Sequence, residues 1–222
     1  LAAPGMSGKL RSGLALAAAG RLQADLKEDP SGRLQAGTTA AAADRLMVSC
    51  WRGGMRSGAM AWLFSLGGIE PVVLKGGYKA YRNYILEDLC RERRYIILGG
   101  LTGSGKTGIL RFMSNAGEQV TDLEGLASHR GSAFGALGQA PQPSSEHFAN
   151  LLFDDLSAHQ TGQQVWLEDE SRNIGTVFMP DCFYARMQAA PVIALMMSIE
   201  TRMPRLLREY TSFPPEEIIA SV

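Results

Sequence analysis

Apolar residues in this chain form two patterns, short unbroken runs and stripes three or four residues apart. Leu14, Leu16, Leu22 and Leu26 stand at helical spacing in an alanine-rich stretch, which predicts a helix over 14–26 stopped by Asp29-Pro30-Ser31-Gly32. Residues 37–43 carry little pattern and read as loop or a short helix. From Leu46 onward the two patterns alternate. Apolar runs predict strands over 46–49, 71–74, 95–98, 119–123, 164–167 and 192–197. Striped segments predict helices over 57–66, 79–89, 108–114, 146–158, 180–188 and 198–210. Gly67-Gly68 stops the first of these, and the Gly, Pro and Gln content of 135–145 makes that segment a loop. After Phe213-Pro214-Pro215 the sequence is expected to stop short of a finished domain. Strands and helices in this succession describe an α/β protein.

Two strand–helix junctions carry chemistry. The first is Cys50-Trp51-Arg52-Gly53-Gly54-Met55-Arg56-Ser57. Its glycines let the backbone curl with N–H groups inward, and the following helix N-terminus adds partial positive charge. Arg52 and Arg56 add full charges. A cysteine ending an apolar strand is usually packing. Two glycines and two arginines beside the thiol favour a reactive loop instead, because a thiol held there ionises readily and the thiolate is the nucleophile. Cys50 is the candidate catalytic residue. Trp51, Arg52, Gly53, Gly54, Met55 and Arg56 form a candidate loop for an anion resting on or near its sulfur.

The second junction is Gly100-Leu101-Thr102-Gly103-Ser104-Gly105-Lys106-Thr107, which satisfies the P-loop pattern with a strand before it and a helix after. Gly100, Gly103, Ser104 and Gly105 present backbone N–H groups to phosphate oxygens. Lys106 reaches the terminal phosphates, and the Thr107 hydroxyl suits Mg²⁺.

Polar residues at later strand ends are candidates for the same ligand. The strand over 119–123 ends in Asp122 and Glu124 and leads to His129-Arg130-Gly131-Ser132. The strand over 164–167 runs into Glu168-Asp169-Glu170-Ser171-Arg172. Asp122, His129, Arg130, Glu168, Glu170 and Arg172 are therefore candidates for Mg²⁺ or substrate contact, with a solvated charge cluster as the plain alternative. Arg202, Arg205 and Arg208 lie on the last helix, the latter two on one side, and either reach phosphates as a lid would or point to solvent. Arg91-Glu92-Arg93-Arg94 reads as a mixed-charge linker or as part of a surface touching nucleic-acid phosphates.

Composition narrows the picture. With 22 Lys and Arg against 22 Asp and Glu, the chain of 222 residues has no net attraction to nucleic acid, so any polyanion site is a local patch. An apolar share of 45% and a charged share of 20% describe a globular protein, and 25 glycines suit turn-rich α/β architecture. Cys50, Cys90 and Cys182 are odd in number and widely spaced, forming neither a disulfide framework nor a zinc pattern, which points to a reducing compartment. No apolar run reaches the ~18 residues of a membrane span. The expectation is a cytoplasmic protein without membrane contact, a processed organellar targeting peptide being the lesser alternative. The chain begins with Leu, and its Ala-, Gly- and Ser-rich start reads as that of a fragment.

The Cys50 loop together with Val72-Val73-Leu74-Lys75-Gly76-Gly77-Tyr78-Lys79-Ala80-Tyr81-Arg82 resembles a rhodanese domain. In that family a strand–loop–helix carries a persulfide-forming cysteine cradled by backbone amides. Here the loop runs Cys, five residues, Arg, one longer than the usual sulfurtransferase loop, leaving room for a larger anion or chalcogen. Rhodanese-related dual-specificity phosphatases share that spacing but usually have His where this chain has Ser49. The domain's first strand and its aspartate are not found in this sequence. With the P-loop following directly, the strings at Cys50–Ser57, 99–107, 122–132 and 166–175 resemble the tRNA 2-selenouridine synthase family, over about 47–210.

The resemblance implies a partial rhodanese-like domain over 1–90, with 1–45 poorly defined, and a C-terminally truncated P-loop NTPase-like parallel-sheet domain over 95–222. It implies replacement of sulfur by selenium in wobble 2-thiouridine of tRNA. Selenophosphate would be the donor, and geranyl diphosphate would give an S-geranyl intermediate. Cys50 would carry selenium, its loop would hold selenophosphate, and the P-loop would hold a diphosphate with Mg²⁺ as helper. Whether that diphosphate is geranyl diphosphate or another, nucleotide-like one is left open, and an apolar pocket for a prenyl chain is not located. The alternatives are a P-loop small-molecule kinase, a rhodanese-type phosphatase, and a non-catalytic fragment binding nucleotide or RNA.

Overall fold

A computed structural model describes residues 26–28, 34–36, 46–132, 134–211 and 213–220. The chain divides into two compact units, Leu1–Asn83 and Tyr84–Val222.

In the first unit, β1 (Leu26–Glu28) pairs antiparallel with β2 (Leu34–Ala36). The helix expected over 14–26 lies outside the described residues except for Leu26, which opens β1 instead; 37–43 lie outside them too. β3 (Met47–Val48) and β4 (Val72–Val73) are parallel neighbours joined by α1 (Met55–Leu66). Parallel strands need such a crossover. α1 starts two residues earlier than the apolar stripe predicts, because the Gly58 N–H already bonds the Gly54 carbonyl at 3.1 Å. It ends where the Gly67 N–H bonds the Phe64 carbonyl at 3.0 Å. α2 (Gly77–Leu89) follows the turn after β4, and the division between the units falls within it.

The second unit opens with β5 (Arg94–Gly100), α3 (Lys106–Asn115), β6 (Gln119–Thr121) and the short α4 (Leu123–Ala127). It continues with α5 (Ser145–Ala158), β7 (Gln164–Glu168), β8 (Asn173–Ile174) and β9 (Val177–Phe178). It ends with α6 (Asp181–Gln188), β10 (Val192–Leu195), α7 (Ile199–Tyr210) and α8 (Pro215–Ala220). Four strands form one parallel sheet in the order β10-β5-β7-β6. Leu98 lies opposite Glu168, Thr121 opposite Leu167, and Gly100 opposite Leu195. The carboxyl ends of all four strands therefore line one edge, where open α/β sheets bind ligands.

The core explains why β5 reads as an unbroken apolar run. Ile97 and Leu98 are buried with Val165 and Leu167 of β7, as in parallel sheets covered by helices. Phe183 of α6 stands edge-on to Tyr95 at 5.7 Å, and Phe148 and Leu152 of α5 are fully buried.

Three elements differ from expectation. Asp122 does not extend a strand; its carboxylate accepts from the Gly125 N–H at 2.7 Å and caps α4. The β8–β9 hairpin turns at Gly175, φ +59°, with strands too short to show a period of two. α8 begins at Pro215, a residue suited to a first helical turn, where no element is expected.

The expectation of unpaired cysteines is corrected. Cys90, just past α2, and Cys182, in the first turn of α6, form a disulfide with Cα atoms 5.1 Å apart. They stand 92 positions apart in the chain, so spacing gives no hint of the pairing. The 91–94 cluster is no free linker either. Arg91 pairs with Asp88 at 3.0 Å, and Arg93 pairs with the same carboxylate and donates to the Asp88 carbonyl at 2.7 Å.

Candidate functional site

In the first unit the reactive feature is the turn from β3 into α1. The Gly54 N–H donates to Cys50 Sγ at 3.3 Å, and the Ser57 hydroxyl lies 3.4 Å from the same sulfur. Ser57 is 1% exposed, and its hydroxyl also donates to the Gly54 carbonyl at 3.0 Å. α1 has no side-chain cap and no acidic residue in its first turn, so the sulfur occupies the place of a capping acceptor. The thiol is drawn down to about 6, first by the Ser57 side chain and then by the amides of Ser57, Gly54 and Arg52. Cys50 is the free cysteine among the described residues. It is half-buried, while Trp51, Arg52, Gly54, Met55 and Arg56 are exposed, so the cup opens to solvent.

The Gly-Gly-Tyr turn holds this cup. Gly77 has φ +63°, and a Cβ there would lie 2.1 Å from the Cys50 carbonyl oxygen and 2.3 Å from Gly53 N. A glycine is required by both the backbone angle and the contact. The contact lets the Tyr78 and Lys79 N–H groups donate to the Cys50 and Trp51 carbonyls at 2.9 and 3.0 Å. The orphan amides of α2 thus fix the loop from behind. The Trp51 and Tyr78 rings meet at 5.6 Å.

In the second unit the P-loop leaves β5 and enters α3 as its pattern predicts. Gly100, Gly103 and Gly105 all have positive φ. Lys106 Nζ donates to the Gly100 carbonyl at 2.7 Å, holding the ammonium over the loop. The Thr107 hydroxyl donates to Glu168 Oε1 at 2.9 Å. α7 lies along the loop. Arg202 donates to the Thr102 carbonyl at 3.0 Å and Arg205 to the Ser104 carbonyl at 2.9 Å. A Cβ on Gly103 would meet Leu206 Cγ at 2.8 Å. Two of the three helix arginines therefore engage the P-loop backbone, while Arg208 is exposed.

The carboxylates gather at the same sheet edge. Glu168, 1% exposed, has its Oε2 buried without a partner. Burial, followed by the charges of Glu124 and Asp122, pushes it up to about 7. Burial and then Glu170 push Glu124 up to about 8, and Glu170 is raised chiefly by burial. Gly131, φ +58°, makes this crowding sterically feasible, since a Cβ there would lie 2.5 Å from Glu170 Oε1 and 2.8 Å from Glu124 Oε1. His129 Nδ1 accepts from the Gly131 N–H at 3.2 Å, and burial lowers its pKa. The Ser132 and Tyr210 hydroxyls lie 2.9 Å apart, linking this loop to α7. A cavity of about 140 Å³ opens beside Thr107, Asp122 and Glu168.

Of the sequence-derived candidates, Thr107, Glu168 and Glu170 belong to this cluster. Asp122 contributes charge while capping α4, and Arg172 is engaged by Asp181. Glu124 was visible only as a strand-end acid, and Ser57 only as the last letter of the cysteine string. Their roles depend on through-space contacts. Among the described residues no group of three or more His, Cys, Asp or Glu is arranged to hold a metal ion, and no helix is long and apolar enough to cross a membrane.

The family model described as "tRNA 2-selenouridine synthase AAA domain" matches residues 93–221. A tRNA 2-selenouridine synthase from Shewanella halifaxensis is 43% identical over 166 residues, covering 72% of this chain and 44% of that protein. One from Pseudomonas putida is 41% identical over 177 residues, covering 77% and 46%. The chain thus spans less than half the length of these curated relatives. A solved DNA replication initiation factor aligns at TM-score 0.30 and 14% identity over 64% of this chain and 53% of that one, too loose a likeness to carry an argument.

Proposed function

The chain belongs to the tRNA 2-selenouridine synthase family, and from that membership we propose that it takes part in replacing sulfur by selenium in wobble 2-thiouridine of tRNA. The carrying observation is Cys50 Sγ, accessible, accepting from the Gly54 N–H and 3.4 Å from the Ser57 hydroxyl, in the same chain as a complete P-loop. A partial rhodanese-like module is assigned to 1–90 and a P-loop domain to 95–222.

Each residue has a part. Cys50, predominantly thiolate at neutral pH, carries the selenium: its sulfur attacks the selenium of selenophosphate, the Se–P bond breaks, and the electron pair leaves on phosphorus as phosphite. The amides of the loop from Trp51 to Met55, with Arg52 and Arg56, hold selenophosphate, an anion that matches inward N–H groups and guanidinium charge. Gly100, Gly103, Ser104 and Gly105 cradle a diphosphate, which we assign as geranyl diphosphate, and Lys106 exchanges the Gly100 carbonyl for a phosphate oxygen. Thr107 and Glu168 would hold Mg²⁺. Two adjacent oxygens, one of them on a carboxylate with an unpaired second oxygen, fit a cation that takes few protein ligands beside phosphate. Bound Mg²⁺ would offset the diphosphate charge.

Tandem mass spectrometry of digested tRNA tests the reading. Protein supplied with selenophosphate, geranyl diphosphate and thiolated tRNA should yield selenouridine. Lys106→Ala should stop S-geranyl nucleoside formation, and Cys50→Ala should stop selenium incorporation. Undiminished selenouridine yield from the Cys50→Ala protein would show that Cys50 does not carry the selenium, and no selenouridine from wild type would favour the P-loop kinase alternative.

A further inference from the structure

We propose that Ser57 is the positioning residue for Cys50, its hydroxyl turning from the Gly54 carbonyl to the sulfur and holding Cys50 as a thiolate. This rests on the reading of Cys50 as the selenium-bearing residue. The Ser57 oxygen stands 3.0 Å from the Gly54 oxygen and 3.4 Å from Cys50 Sγ. It has one hydrogen and two acceptors within reach. When the sulfur is a thiol, S–H can donate to the Ser57 oxygen while Ser57 O–H donates to the Gly54 carbonyl. When the thiol proton leaves to solvent, the charged sulfur becomes the stronger acceptor and the serine hydrogen turns to it. The Gly54 carbonyl keeps its bond from the Gly58 N–H at 3.1 Å in either state. The switch therefore leaves no buried acceptor orphaned and makes no covalent change at serine.

Burial makes the device specific. At 1% exposure, water cannot replace the Ser57 hydroxyl, whereas the exposed loop side chains are solvated. Ser57 is the third residue of α1, so its backbone N–H is one of the free amides of the first turn. The side chain and amide of this residue are the two largest contributions drawing the sulfur towards the thiolate. Besides Cys50, the ionisable residues of the loop, of the β4–α2 turn and of the first turn of α2 are Arg52, Arg56, Lys75, Tyr78 and Lys79. A substitution at Ser57 leaves all of them in place.

The test is the pH profile of iodoacetamide alkylation at Cys50, resolved by peptide mass spectrometry, for wild type, Ser57→Ala and Ser57→Thr. The midpoint should rise by about one to two pH units in S57A and stay near wild type in S57T. A full profile is needed, since a less acidic thiolate is intrinsically more nucleophilic and masks the change at a single pH. Should S57A fail to fold, the equal-volume pair S57T and S57V carries the same comparison. An S57A midpoint within about 0.3 unit of wild type, or an S57T midpoint displaced as far as S57A, overturns the proposal. Selenium loading is read separately. A shifted S57A midpoint with no selenium on wild-type Cys50 would sink the functional reading and leave this one standing.

Discussion

At the scale of single residues, the titrating groups give opposite signs. The Cys50 thiol is depressed to about 6, so its thiolate persists above that pH and is lost as pH falls through it. Wild-type alkylation should show a midpoint near pH 6, and a midpoint near the ordinary value for cysteine would contradict the hydrogen-bonded cup. Glu124 is raised to about 8 and Glu168 to about 7, so each stays protonated in the fold where an unfolded glutamate ionises. Their contribution to stability is present at acid pH and falls as pH rises towards 7 to 8. Glu124→Gln should flatten that decline. Thermal melts of wild type and E124Q from pH 5 to 8 check it, and parallel curves would show that the carboxylates do not crowd each other. The placement of Cys50 and Lys106 at strand–helix turns was legible because glycines follow or precede each of them between an apolar run and a helical stripe. The role of Ser57 was not legible, because the orientation of a hydroxyl within its own loop leaves no mark on the sequence, and that of Glu124 was not, because its neighbour Glu170 lies beyond β7.

At the scale of elements, the Gly53–Gly77 approach is the closest contact between two glycines among the described residues of the first unit. Gly77→Ala adds a Cβ into the Cys50 carbonyl at a positive φ, so a loss above about 1 kcal/mol is expected from backbone strain alone. A lower melting temperature, together with an alkylation midpoint moved towards ordinary cysteine, would show that the turn and the sulfur cup are one device. An unchanged midpoint would separate them. The larger helices and the sheet strands were legible to within a few residues, since their apolar periods are long enough to read and their ends carry Gly or Ser signals. α4, the β8–β9 hairpin and α8 were not. The first is five residues long and is fixed by the Asp122 cap, the strands of the second have two residues each, and the third starts on a proline. The seating of α7 on the P-loop through Arg202, Arg205 and Leu206 was legible only as a choice between lid and solvent.

At the scale of the whole chain, the order of motifs was the informative signal, a cysteine loop followed by a P-loop being far rarer than either alone. What sequence could not supply was the Cys90–Cys182 pair, which closes the second unit across 92 positions. Cross-linking a loop of that length restricts the unfolded chain, so reduction should cost about 2–4 kcal/mol and lower the melting temperature under dithiothreitol. An identical melt with and without reductant would mean that the bond adds nothing in solution. Whether Cys50 bears selenium is the central question, and intact-protein mass spectrometry after incubation with selenophosphate asks it directly. Wild type should gain one selenium atom, localised to Cys50 by peptide mapping, and Cys50→Ala should gain none. A wild-type protein without selenium, or equal uptake by the Cys50→Ala protein, would contradict the assignment of selenium to Cys50.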